Sequence, residues 1–131
     1  MMRLFFLFLA LLFSSIFFDA EAKKLSNKEC VEVASTITQE IGGTSMDEVT
    51  ILDNTICVFG NFIYNYSLSE DITPKDFENR VKSQLKPIAI RSFCTDPATR
   101  SFLEIVQSVT FKYKRYDGVY LTEYSFNDSD C

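Results

Sequence analysis

The stretch VTFKYKRYDGVYLTEYSF, residues 109–126, alternates apolar and polar residues on either side of Asp117-Gly118. Alternation at period two sends successive side chains to opposite faces of a strand. An Asp-Gly pair between two such runs is the preferred two-residue type I′ hairpin turn. That turn sets a register. Tyr116 then faces Val119, Lys114 faces Leu121 and Lys112 faces Glu123 on one side of the hairpin. Arg115 faces Tyr120, Tyr113 faces Thr122, Phe111 faces Tyr124 and Val109 faces Phe126 on the other. The second set is the more apolar and is expected to pack on helices. The first carries a Lys112–Glu123 cross-strand ion pair, of a kind worth only about 0.2–1 kcal/mol.

Upstream, Asp96-Pro97 and Thr73-Pro74 each join an N-cap residue to a proline in the first helical turn. Phe102, Leu103 and Val106 form an apolar face after the first signal. Phe77, Val81, Leu85 and Ile88 form one after the second, and Pro87 is expected to end or kink that helix. Residues 55–67, TICVFGNFIYNYS, are rich in β-branched and aromatic residues and read as one long central strand with Gly60 marking a bulge. A shorter strand around Val49 and Ile51 precedes it across an Asp53-Asn54 turn. Ser26-Asn27-Lys28-Glu29 is a capping box. It opens a helix with Cys30, Ala34, Ile37 and Ile41 on its apolar face, and Gly42-Gly43 closes it. The order α-β-β-α-α-β-β predicts an α+β domain: a four-stranded, mostly antiparallel sheet with helices packed on one face.

Ahead of this domain, Arg3 precedes an apolar run from Leu4 to Phe18, and Ala20-Glu21-Ala22 has the small-x-small form of a cleavage site. Residues 1–22 are therefore expected to be a cleaved secretory signal peptide, and residues 23–131 a single disulfide-stapled domain. The run is shorter than the ~20 residues that span a bilayer, and no Cys follows it closely, so no stable membrane anchor is expected after cleavage. Losing Arg3, Asp19 and Glu21 with the leader moves the net charge from −5 to −4. An acidic chain of this kind is not a nucleic-acid binder, since phosphate contacts require a basic face. Cys30, Cys57, Cys94 and Cys131 read as two disulfides behind a signal peptide. Of the three possible pairings, Cys30–Cys57 with Cys94–Cys131 is preferred because each bridge joins neighbouring elements.

The chain contains no His, which removes the Ser-His-acid and Cys-His arrangements and the commonest zinc ligand. No C-x-x-C spacing, phosphate-binding glycine loop or calcium loop is present, so no metal or other cofactor is expected. Carboxylates remain: Asp47 adjoins Glu48, and Glu70 adjoins Asp71. A small hydrolase would need two such groups converging across a cleft. Exposed tyrosine favours interfaces, because it brings area at little entropic cost. Tyr64, Tyr66, Tyr116, Val119 and Leu121 are accordingly the candidate binding residues, with Tyr116, Val119 and Leu121 on the more polar hairpin face. A third possibility, a carrier of small apolar ligands, would need a cavity between sheet and helices.

RSFCTDPATRSFL, residues 91–103, continued through the Tyr-Asp-Gly hairpin to Asp130-Cys131, resembles small exported proteins of Gram-negative bacteria. The shared features are a Cys-x-Asp-Pro helix start, a hairpin and a terminal Cys. The disulfide-bearing secretin pilotins of type II secretion and the quorum-regulated secreted virulence factors are similar in size and plan. The resemblance implies a Cys94–Cys131 bridge and a periplasmic or secreted, non-enzymatic binding role with a protein partner. Pilotins of that kind are usually lipidated, and this sequence lacks a lipidation Cys.

Overall fold

The Ser26 hydroxyl accepts from the Glu29 amide, and the Ser26 amide donates to Glu29 Oε1, so the capping box closes as the sequence predicts. It opens α1, Asn27–Ile41, in a computed structural model that describes residues 24–131. The expected signal segment, residues 1–22, lies outside the described residues. The elements that follow are β1 (Thr44–Ser45), β2 (Thr50–Val58), β3 (Asn61–Leu68), α2 (Pro74–Arg80), α3 (Lys86–Thr95), α4 (Pro97–Ile105), β4 (Ser108–Arg115) and β5 (Tyr120–Phe126). A π turn at Val81–Leu85 links α2 to α3, and a 3₁₀ turn at Asp128–Asp130 closes the chain.

The sheet has five strands in the order β1-β2-β3-β4-β5 and is mixed, not four-stranded and mostly antiparallel. The two hairpins are antiparallel, but β3 and β4 run parallel where they meet. A parallel pair needs a long crossover, and residues 69–107 supply it by carrying all of α2, α3 and α4. The fifth strand is the two-residue β1, which pairs with Ile51 and Leu52.

The two turns exchange the roles expected of them. Residues 55–67 are not one strand. Phe59 (φ 49°) and Gly60 (φ 83°) form the two-residue turn between Val58 and Asn61, with both central residues left-handed as type I′ requires. Phe59 gave this turn the composition of a strand. At the Asp117-Gly118 turn only Gly118 is left-handed, at φ 89°. The Gly118 amide donates to Arg115 O and the Arg115 amide to Val119 O, so the turn is longer and carries a bulge. Lys114 therefore pairs with Tyr120 instead of Leu121, while Val109–Phe126, Phe111–Tyr124, Lys112–Glu123 and Tyr113–Thr122 keep the predicted register. Asp53-Asn54 is not a turn but a register shift inside β2.

Pro87 does not stop the helical course of the chain, but the regular helix is interrupted by the π turn just before it, as the expected kink requires. The Lys86 amide reaches back five residues to Val81 O, and this wider turn passes the chain into α3 past a proline that has no N–H to donate. One extra residue per turn advances the buried face by one position. Ile88 is exposed, and Ala89 and Phe93 take the core positions instead.

One face of the sheet is buried beneath the helices. It presents Leu52, Phe62, Tyr64, Tyr66, Leu68, Val109, Phe111, Tyr113, Tyr124 and Phe126. Edge contacts lock the layers: Phe62 meets Phe102 at 5.0 Å and Phe93 meets Phe126 at 5.2 Å between ring centroids. Thr55 Oγ1 donates to Ala34 O at 2.6 Å, tying α1 to β2. The disulfides are Cys30–Cys57 and Cys94–Cys131, as expected.

Candidate binding site

The strand directions place the two hairpin turns at opposite ends of the sheet. The Phe59-Gly60 turn sits at one pole. The Tyr116–Val119 turn, the Met46–Thr50 loop and the end of β3 sit at the other. The second pole holds an exposed aromatic surface: Tyr116 is 65% exposed, Tyr120 50% and Val119 37%. Arg115 braces the turn beneath them. Its guanidinium donates to both Asp117 carboxylate oxygens and to Ile72 O, and the Tyr116 amide donates to Leu68 O at 2.8 Å. The Arg115 hydrogen bonds hold the Asp117 carboxyl below its ordinary value.

Of the five residues singled out in the sequence, Tyr116 and Val119 are at this surface. Leu121 is only 4% exposed, because the bulge turns it to the inner face. Tyr64 and Tyr66 are also in the core, because the Phe59-Gly60 turn makes β3 an inner strand whose even-numbered residues face the helices. Sequence reasoning missed Tyr120 by pairing it with Arg115 on the inner side. The alternative hairpin geometry, a three-residue loop with Gly in the left-handed position, was the available signal. Tyr120 also comes between Lys112 and Glu123: its hydroxyl donates to Glu123 Oε1 at 2.8 Å and the Lys112 ammonium lies 6.0 Å from its ring centroid. The expected ion pair is thus a ring-mediated contact.

At the same pole a cavity of about 120 Å³ opens between the sheet and α2. Met46, Asp47, Tyr66, Phe77, Tyr113 and Tyr124 are among its walls. Burial pushes the Tyr113 phenol up to about 12, and raises Tyr66 and Tyr124 as well. These phenols stay neutral near pH 7 and can serve as hydrogen-bonding groups, not as bases.

Asp47 and Glu70 are committed to structure, and Glu48 is exposed. Asp47 Oδ1 accepts from the Val49 and Thr50 amides at 2.9 and 2.8 Å, which builds the loop at the cavity mouth. Glu70 takes two hydrogen bonds from Arg80, at 2.8 and 2.9 Å, and these hold its carboxyl below the ordinary value. A general acid requires the opposite shift. Asp71 is exposed and lies 3.8 Å from Arg115. Among the described residues no group of three or more metal-ligating side chains converges, and no helix is long and apolar enough to cross a membrane.

No family model matches the sequence, and no curated protein matches it either. Solved structures do match in fold. A protein of Pseudomonas aeruginosa classed provisionally as secreted aligns over 82% of this chain and 97% of its own, with TM-score 0.65 and 13% identity. The pilotin EpsS of the Vibrio vulnificus type 2 secretion system aligns over 80% of this chain and 90% of its own, with TM-score 0.61 and 8% identity. The type II secretion pilotin AspS of Vibrio cholerae aligns over 80% and 91%, with TM-score 0.57 and 15% identity. At these identities the likeness is one of fold: over about four-fifths of its length this chain shares the α+β architecture of those three proteins.

Proposed function

We propose that this protein is an exported, non-enzymatic accessory of a bacterial secretion pathway, acting by holding a protein partner at the Tyr116–Tyr120 pole. The observation that supports it most is the likeness in fold, over 80% of this chain, to two secretion-system pilotins. Two disulfides fit an oxidising compartment, periplasmic or extracellular, reached through a leader cleaved after Ala22. Tyr116, Val119 and Tyr120 bring aromatic and apolar area on a turn already braced by Arg115, so little entropy is lost on binding. Photo-crosslinkers at positions 116 and 120 in the producing cells should trap a component of the export apparatus, and deletion of the protein should lower secreted-protein output. Crosslinks confined to unrelated proteins, with secretion unchanged on deletion, would overturn the proposal.

The cavity supports a second reading, a carrier of small apolar molecules. Its volume of about 120 Å³ approaches the ~150 Å³ apolar cavity known to take up benzene. A small phenol or arene that raises the melting temperature in proportion to its concentration would favour this reading, and a flat response would dismiss it.

A further inference from the structure

Asp53 is one residue more than the β2–β3 pairing accommodates. Leu52 pairs with Tyr66 and Asn54 with Asn65, which leaves Asp53 without a partner in β3. Side chains alternate along a strand, and one extra residue reverses the alternation from that point on. Asn54, which would otherwise share the buried side with Leu52, turns to the open face of the sheet, and Thr55 takes the buried side. The bulge on β5 does the same for Tyr120. Two separate bulges, on β2 and on β5, thus aim Asn54 and Tyr120 at one area of the face that the helices leave uncovered. Bulges are common where a side chain is re-aimed for function.

The register makes this area a grid. Asn54, Asn65, Lys112 and Glu123 stand in line across β2, β3, β4 and β5, and Ser67, Lys114 and Tyr120 form the next row. An open cleft of about 130 Å³ lies among Asp53, Asn54, Asn65, Lys112, Lys114 and Tyr120. Its groups hold one another in place. Asn65 Nδ2 donates to Asn54 Oδ1 at 2.8 Å, Ser67 Oγ donates to Asp53 Oδ2, and the Tyr120 hydroxyl donates to Glu123 Oε1 at 2.8 Å. The first bond uses one N–H of Asn65 and leaves both amides further donors and acceptors. Lys112 and Lys114 are exposed, and Asp53 and Glu123 offset their charges.

We propose that this cleft binds a neutral sugar ring, the terminal pyranose of a glycan. A sugar hydroxyl donates and accepts at once, so it needs acceptors and donors interleaved, as Asp53 and the asparagine oxygens are with the asparagine N–H groups and the two lysines. The even charge count gives no preference for an anion. The cleft is close to the ~150 Å³ that takes up benzene, which is room for one six-membered ring. Tyr120 is 50% exposed with its hydroxyl anchored, so it offers a flat apolar surface to the C–H face of that ring at little entropic cost. An extended peptide would instead seek backbone groups at a sheet edge, and these side chains stand on the face. The site shares Tyr120 with the partner surface but does not rest on that reading, since sugar binding is measured on the purified protein alone.

The test titrates the purified protein, with both disulfides formed, with the methyl glycosides of glucose, galactose, mannose and N-acetylglucosamine, and follows backbone amide shifts by NMR. A ligand of this size should bind at about 1–10 mM. At least one of the four should move the amides of Asn65, Lys112 and Tyr120. Tyr120→Ala should weaken that binding about tenfold, and Asn54→Ala should weaken it as well, while both melting temperatures stay close to the parent. Tyr120→Phe keeps the ring and should retain binding, and Tyr116→Ala should leave it unchanged. Added salt should change the affinity less than about twofold, because the charges balance. No response to any of the four glycosides, or undiminished binding by Tyr120→Ala, would overturn the proposal. So would shifts confined to the cavity beneath α2, which would assign the sugar to that cavity. Tighter binding of methyl glucuronide than of any neutral glycoside, lost in salt, would also count against it, because the cleft would then be selecting an anion.

Discussion

Neighbouring positions on β5 differ sharply in what they tolerate. Leu121 is buried, so Leu121→Asp places an unpaired charge among apolar side chains and should cost at least about 3 kcal/mol in chemical denaturation. Tyr120→Asp loses only the ring contact with Lys112 and the hydrogen bond to Glu123, and should stay within about 1 kcal/mol of the parent. It should nonetheless abolish crosslinking at the partner pole. The cavity tyrosines give a pH test. Burial raises Tyr113 from 10.0 to about 12, with Tyr66 and Tyr124 shifted in the same direction. Their folded forms bind the phenolic proton more tightly than the unfolded chain does. The stability Tyr113 contributes is fully present below pH 10, and is lost as pH rises from 10 through 12. Phenolate absorbance and circular dichroism should change together in that window. In a Tyr116→Phe/Tyr120→Phe background, which removes the two exposed phenols, phenolate formation without loss of structure would contradict the burial of these rings.

Two glycines with the same backbone conformation differ in what surrounds them. A Cβ at Gly60 would lie 2.6 Å from the Gln107 side chain, whereas one at Gly118 would meet nothing within 4 Å. Each Gly→Ala change carries the left-handed penalty of about 1–2 kcal/mol, but only Gly60→Ala also disturbs the junction of the β2–β3 turn with β4. Equilibrium unfolding should therefore rank Gly60→Ala below Gly118→Ala. Helix α1 shows how a legible element acquires its place. Its capping box, apolar spacing and glycine stop were all readable from local sequence. Its seat on β2 depends on Thr55 and on Cys57, both distant in the chain.

For the molecule as a whole, the two disulfides close loops with sequence separations of 27 and 37. On the chain-entropy model these contribute roughly 3.5–4 kcal/mol each, a large part of the ~5–15 kcal/mol typical of a domain. Full reduction should leave the domain largely unfolded at 37 °C, and a Cys94→Ser/Cys131→Ser variant should remain folded with a lowered melting temperature. Calorimetry distinguishes these outcomes. The two-pole arrangement also belongs to this scale. The parallel β3–β4 pair sends the two hairpin turns to opposite ends, separating the Phe59 tip from the Tyr116 surface.

Local chemistry in the sequence determined the α+β class, the helix starts at Ser26, Thr73 and Asp96, the inner face of the last hairpin from Val109 to Tyr113, and the two disulfides. Each follows from residues close in the chain or from the few pairings four Cys permit. Tertiary structure decided three things that no short window contains. Phe59 accepts a turn conformation that its composition disfavours, because Val58 and Asn61 pair and Gly60 packs against Gln107. The bulge beyond Tyr113 moves Leu121 inward and Tyr120 outward, which redefines the candidate site by one residue. The parallel join of the hairpins depends on helices α2 to α4 crossing over the sheet, and such long-range pairing is set by where a whole apolar face can be buried, not by the residues that form the pair.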